Sequence, residues 1–188
     1  MVDPQAGIAD TREQILALTE LAMRKHGFHQ VSFRDIASAM AIKSASVHYH
    51  FPTKIALGVA LVARYQAHIT QLLGDPAQAD VSPAQLLARY IEIFRRQLCN
   101  EGAPCLCLVL AAGQAALPSP VQQVSAAYFD VIGQWLNAVI KRHNPQQKKK
   151  KRKAQVQAIM AGVAGAALLA QAQNDLTVFE RGVSQLHL

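Results

Sequence analysis

The chain has 188 residues, of which 51% are hydrophobic and only 6% aromatic, and its formal net charge is +7. That apolar content excludes a disordered tail, and the length suffices for one small unit plus a larger body sharing a continuous core. Six of the charges sit in a single run from Lys148 to Lys153, so net charge alone does not argue for a polyanionic partner.

Alanine is abundant and the alternating Val/Ile/Thr runs of a sheet protein are missing, which predicts an all-α chain of about nine helices. The first opens near Asp10 and Glu13, a capping pair, and stops at Gly27 after Met23, Arg24, Lys25 and His26. Ser32 stands three residues before Asp35 in a capping-box pattern, and Phe33, Ile36, Ala37 and Met40 then recur at helical spacing. Ala41, Ile42 and Lys43 make a turn. A second short helix runs from about Ser44 to His50, with Val47 and Phe51 pointing inward and Ser44, Ala45, Ser46, His48 and Tyr49 left facing out. Two short helices joined by a tight turn, the second presenting small and hydroxyl side chains, are helix-turn-helix geometry, in which the N-terminal end of the second helix enters the major groove of DNA.

The order T-R-E-Q-I-L-A-L-T-E-L-A at Thr11 to Ala22, G-F at Gly27, V-S-F-R-D-I-A from Val31, and S-V-H-Y-H-F-P-T-K from Ser46 to Lys54 resembles the N-terminal domain of TetR-family transcriptional regulators. The resemblance covers roughly the first third of the chain. It implies an all-helical homodimer with two DNA-binding heads and a divergent C-terminal domain that binds an effector, most such proteins being repressors. It also implies that Ser32, Tyr49 and Lys54 hold phosphates. The pattern departs at Ala41 and Ala45, where the family often has glycine, and at His48, where it more often has tyrosine. Alanine at a turn position of positive φ costs about 1 kcal/mol, so a slightly different turn is one outcome to look for.

Further along, a fourth helix opens at Pro52 and runs to about Leu73, ended by Gly74, Asp75 and Pro76. Ser82-Pro83-Ala84-Gln85 starts the next with serine as cap and proline at the first helical position, and Ser119-Pro120-Val121-Gln122 repeats the arrangement. Gly102, Ala103 and Pro104 break the chain between them, leaving a short helix from Cys105 to about Ala116. The helix containing Trp135 closes at Asn144-Pro145, the lysine run reads as a solvated loop at a helix start, with non-specific phosphate attraction or a localisation tag as the other readings, and a last long helix covers about Lys153 to Ala172, before a short one from Thr177 to Leu186. The most apolar stretch, Ala158 to Ala170, falls short of the roughly 20 residues that cross a bilayer, so it is read as a packing helix and not an anchor. This organisation predicts a helix-turn-helix DNA-binding domain at residues 1–53 and a helical effector-binding and dimerisation domain at 54–188.

Candidate DNA contacts are Arg34, Lys43, Ser44, Ser46 and His48 at or near base edges, Ala45 against a thymine methyl, and Ser32, Tyr49 and Lys54 on the backbone. Ser32 serves equally as a plain cap, and His50 as a structural histidine. Tyr90, Phe94, Leu98, Leu110, Gln114, Tyr128 and Phe129 either line an effector pocket or form ordinary core. Cys105 and Cys107, a Cys-x-Cys pair near a helix start, read as packing residues, as a thiol sensor of oxidants or electrophiles, or as half of a metal site, for which no His or acidic partner stands at helpful spacing. No cofactor is implied. In the last long helix Ala158, Ala161, Gly162, Gly165, Ala166 and Leu169 form a small-residue stripe, which with Trp135 and Leu136 suits either a four-helix dimer interface or close packing within one subunit. Three cysteines and no leader segment point to the cytoplasm. The partners expected are a palindromic double-stranded DNA operator, a second copy of the chain and a small-molecule or thiol-reactive effector, with no membrane. Two rival readings are a cysteine-dependent enzyme using Cys105, although no nucleophile elbow or spaced His and Asp set accompanies it, and a basic protein that coats any nucleic acid through Lys148 to Lys153.

Overall fold

The computed structural model describes residues 4–188 and, among them, shows nine α-helices and no strand. They are α1 (Pro4–His26), α2 (Phe33–Ala39), α3 (Ser44–His50), α4 (Lys54–Leu73), α5 (Pro83–Glu101), α6 (Leu106–Ala112), α7 (Ser119–His143), α8 (Lys149–Gln173) and α9 (Leu176–Val183), with one 3-10 turn at Gln114–Ala116. Contacts divide the chain into two units. The first holds the residues up to Gln66 together with Leu106–Ala126, and the second holds Ala67–Cys105 with Ala127–Leu188, so α4 and α7 contribute residues to both.

In the first unit Ile15, Leu16 and Met23 of α1 are buried with Ile36, Val47, Phe51, Leu57 and Leu61, the apolar positions that recur at helical spacing. α1 starts ahead of the Asp10–Glu13 pair expected to cap it, and the Asp10 side chain lies outside the described residues. Its end is as predicted, since Gly27 adopts φ 80 and its N–H bonds Met23 O. Arg64 of α4 donates to Glu13 at 2.5 Å and to Glu20 at 2.6 Å, tying α4 to α1. Pro52 does not open α4. Thr53 does, its hydroxyl accepting the Ala56 N–H at 3.0 Å.

In the second unit α8 packs on α9 and α5, burying Val156, Ile159, Val163, Ala166, Ala167 and Ala170. The Ser82 capping box is present with Pro83 at the helix start, and Gly102 ends α5 at φ 57. Trp135 donates its indole N–H to Gly74 O at 2.8 Å, and Arg142 donates to the carbonyls of Pro76, Gln78 and Val81, so α7 holds the loop after α4. By length and composition α8 is apolar enough to cross a bilayer, over a window longer than the stretch singled out in the sequence, but the core helix of a soluble protein passes the same test.

Three further local expectations are corrected. The helix after Cys105 ends at Ala112, and Gln114–Ala116 is a separate 3-10 turn, because Gly113 closes the ladder onto Val109 and Leu110. Ser119 makes no capping box: α7 includes it, the amides of Val121 and Gln122 bond Pro118 O, and the Gln122 side chain turns back to the carbonyls of Gln114 and Leu117. The lysine run is not a loop. Lys149 to Lys153 belong to α8, whose start is held by Arg152 donating to Asn137 at 2.9 Å and to Gln147 O at 3.1 Å. The small-residue stripe, for which packing within the subunit and a dimer face were both open, splits in two. Gly162 faces Leu186 and Ala166 meets Gly182, while Trp135 and Leu136 are buried in the subunit; Ala158, Ala161 and Leu169 are exposed, and Gly165 faces open space.

Candidate nucleic-acid interface

The site is built on α2, the turn after it, and α3. α2 begins with a complete capping box: the Ser32 hydroxyl donates to the Asp35 carboxylate at 2.6 Å and accepts the Asp35 N–H at 3.2 Å, while the carboxylate also accepts the Ser32 N–H at 3.2 Å. These bonds hold the Asp35 carboxyl below the usual aspartate range, the side-chain bond from Ser32 contributing most. Since the only proton on the Ser32 hydroxyl is committed to Asp35, Ser32 can meet a phosphate as a donor only by releasing that bond.

The turn is set by a pair of reverse bonds. Ile42 N–H reaches Ala37 O at 3.0 Å and Ala41 N–H reaches Ser38 O at 3.1 Å, which is the Schellman arrangement, and it requires a left-handed residue between. Ala41 takes that role at φ 54. The glycine-type geometry is therefore kept, with alanine bearing the strain.

Lys43 then begins α3 without a side-chain cap. Val47 is fully buried and Phe51 is 2% exposed, pinning the helix from beneath, with the Arg12 guanidinium 5.1 Å above the Phe51 ring. Opposite them Ser44, Ala45, His48 and Tyr49 are exposed, Ser46 is half-buried, and Tyr49 stands out at 73% exposure. Arg34 on α2 and Lys43 are exposed as well. The His48 ring is braced edge-on by Phe33 with centroids 4.6 Å apart, so its position is defined although it lies at the surface. His50 is half-buried and packs edge-on against Tyr49 at 5.2 Å. A row of short polar groups on a rigid, well-anchored helix has the chemistry to read base edges, and Tyr49 and the cations that to hold phosphates.

Lys54 behaves differently from its neighbours. Its ammonium donates to His29 O at 3.0 Å and lies 4.9 Å from the centre of the Phe28 ring, and burial lowers its pKa while Asp35 opposes the shift. Two of its three protons remain for an outside acceptor. His29 itself reaches the 3-10 turn, its Nε2 lying 3.0 Å from Ala116 O. Nothing in the local pattern marked His29 or Phe28 as part of this assembly, because both contacts join residues far apart in the chain.

The other candidate residues fall elsewhere. Tyr90, Phe94 and Tyr128 are buried in the second unit, with Tyr90 and Phe94 stacked edge-on at 5.2 Å, and Leu98 and Phe129 are half-buried there. Leu110 is buried in the first unit, and Gln114 of the same unit is exposed. Cys105 and Cys107 are buried, the Cys105 thiol lying 3.7 Å from the Tyr128 hydroxyl, and burial together with Cys105 raises the pKa of Tyr90. Among the described residues no group of three His, Cys, Asp or Glu side chains could hold a metal ion.

Comparison with known proteins agrees with this geometry. A family model described as bacterial regulatory proteins, tetR family, matches residues 15–61. The HTH-type transcriptional repressor NemR of Escherichia coli (strain K12) is 26% identical over 102 residues, 54% of this chain and 51% of that protein, so the chain matches about half the length of this relative. A TetR transcriptional regulator from Legionella pneumophila superposes with a TM-score of 0.87 at 29% identity, covering 99% of this chain and 96% of the other. A TetR-family regulator from Agrobacterium tumefaciens gives 0.85 at 28% identity over 93% and 94%. The reduced form of E. coli NemR gives 0.83 at 21% identity over 94% and 95%, a likeness of fold.

Proposed function

We propose that this chain is a member of the TetR family of bacterial regulatory proteins and acts in the cytoplasm as a homodimeric repressor that binds a short palindromic DNA operator and is released by an effector. One observation carries the reading: α3 exposes Ser44, Ala45, His48 and Tyr49 on one side while Val47 and Phe51 anchor the other. Residues 1–53 are assigned to the head and 54–188 to effector binding and dimerisation. Ser44, Ser46 and His48, with Arg34, Lys43 and Ala45, are assigned to base edges or their surroundings, and Ser32, Tyr49 and Lys54 to the backbone. A dimer is required because one helix-turn-helix reads too few base pairs, whereas two heads about 34 Å apart read a palindrome. The outward part of the α8 stripe, Ala158, Ala161, Gly165 and Leu169, supplies its face.

Selection from a randomised duplex pool tests the head. Ser46→Ala and His48→Ala should change the preferred bases, whereas Tyr49→Phe should weaken all duplexes alike. An unchanged preference after every α3 substitution refutes direct readout. Ala161→Glu with Leu169→Glu should give a monomer by sedimentation.

For the effector we assign the aromatic cluster of Tyr90, Phe94 and Tyr128 as the centre of the responsive region, with a thiol-reactive signal as the second form of the same reading because Cys105 touches Tyr128 there. Loss of duplex binding on treatment with peroxide or an alkylating agent, abolished by Cys105→Ser, supports a thiol signal; indifference leaves packing as the role of both buried cysteines. The chain is assigned a binding role without turnover.

A further inference from the structure

From Val131 to Asn174 the chain contains no acidic residue, yet this stretch holds Lys141, Arg142, His143 and the whole run Lys148 to Lys153. The two arginines are turned to internal tasks. Arg142 serves the carbonyls of Pro76, Gln78 and Val81, and Arg152 serves Asn137 and Gln147. The lysines are not: Lys148, Lys149, Lys150, Lys151 and Lys153 are all exposed, as are Lys141 and His143. Asp130 lines the same groove as Lys149 and Lys153, one carboxylate set against two ammonium groups.

Cations in the first turn of a helix are opposed by its dipole and repel one another, so this arrangement strains the start of α8, which Arg152 and the burial of Val156 and Ile159 hold in place. A polyanion laid over the lysines relieves the strain. We propose that the lysine-ringed start of α8, where Lys149 and Lys153 line one groove and Lys151 another, contacts the phosphate backbone of duplex DNA separately from α3. The proposal takes the identity of the polymer from the reading above and nothing else from it.

The residue chemistry selects this partner. Ammonium groups on flexible stems meet phosphates as point charges without sequence preference, while the forked guanidinium groups that give planar, specific recognition are here facing inward. Between α7 and α8 the exposed residues are Asn144, Pro145, Gln146 and Lys148, which offer no aromatic or large aliphatic side chain to insert into a bilayer. A protein partner would be expected to meet Trp, Tyr or Arg anchors, and the exposed residues from Lys148 to Lys153 include none.

The test uses the full chain and a labelled duplex of mixed sequence, about 40 base pairs long, titrated by fluorescence anisotropy between about 50 and 200 mM KCl. Three proteins are compared: the native chain, a run variant with Lys148, Lys149, Lys150, Lys151 and Lys153 each changed to Gln and Arg152 kept, and a head variant carrying Arg34→Ala, Lys43→Ala and Tyr49→Ala. Each phosphate contact weakens binding about 3.5-fold over that salt range, so neutralising the lysines should lower the log–log salt slope by about 0.9 for every one that meets a phosphate, and by about 4.5 at most. The run variant should melt no lower than the native chain, because it loses only repulsion at a helix start. The head variant should keep the part of the salt dependence that the run supplies. A run variant with the native slope, or a head variant that ignores every duplex, overturns the proposal while leaving α3 as the reader. A head variant that binds like the native chain beside an inert run variant keeps the lysine run as a contact and removes α3. Pelleting of the native chain with phosphatidylserine vesicles more tightly than it binds duplex assigns the lysine run to membranes and also overturns the proposal.

Discussion

Ala41 allows the turn that aims α3 to be weighed directly. The residue is exposed and sits at φ 54, between the Ala41–Ser38 and Ile42–Ala37 hydrogen bonds that close α2. A left-handed conformation costs an ordinary residue roughly 1–2 kcal/mol, and glycine is spared most of this. Glycine, however, loses about 0.4–1 kcal/mol more chain entropy on folding than alanine. No packing is lost at an exposed methyl, so Ala41→Gly should stabilise the chain by about 0.5–1 kcal/mol. For a chain of this size that is a rise of roughly 1–4 °C in Tm, readable by calorimetry or by circular dichroism at 222 nm. Ala41→Val is the opposed perturbation, since a β-branched residue is more strongly excluded from positive φ, and it should lower Tm by about as much or more. Because glycine keeps the same backbone angles, base preference in the duplex selection should not change. If Ala41→Gly lowers Tm, or if glycine and valine melt together, the turn is not left-handed and the placement of α3 derived from it fails.

Three further outcomes follow from other contacts. Asp35 has a folded-state pKa depressed below its ordinary value of about 3.9, so its contribution to stability is present above that pH and is lost as pH falls through the lower folded-state value; Asp35→Asn should flatten the acid limb of a stability–pH curve measured by urea denaturation, and an unchanged limb refutes the capping role. A methyl on Gly182 would stand 2.7 Å from Ala166 Cβ, a rigid neighbour, so Gly182→Ala should cost about 1–3 kcal/mol despite alanine's better helix propensity, and a rise in Tm would show that α8 and α9 are not so close. Arg142→Met removes three charged donors from the carbonyls of Pro76, Gln78 and Val81; a loss of about 2–3 kcal/mol with faster proteolysis in the loop after Gly74 is expected, and a protease-resistant loop counts against that clasp.

Much of this protein was legible before any coordinates because the relevant interactions are short in sequence. The Ser32–Asp35 and Ser82–Gln85 boxes span three residues, and the glycine stops at Gly27 and Gly102 act on the turn beside them. The alternation that buries Val47 and Phe51 while exposing Ser44, His48 and Tyr49 follows from a 3.6-residue period on one seven-residue helix. What tertiary structure alone decided depends on groups that meet only after the chain closes. Lys54, whose position in the sequence suggested an outward cation, spends a proton on the His29 carbonyl, and His29 reaches Ala116, 87 residues away. Gln122, spaced to cap its own helix, instead satisfies the carbonyls of Gln114 and Leu117. The lysine run, which local electrostatics keeps out of a helix start, is drawn into α8 by Arg152 and its acceptors on α7 and in the loop between the helices. Caps and periodicity are settled by neighbours a turn away, whereas the partner of a long polar side chain is settled by which distant backbone carbonyl packing leaves unsatisfied.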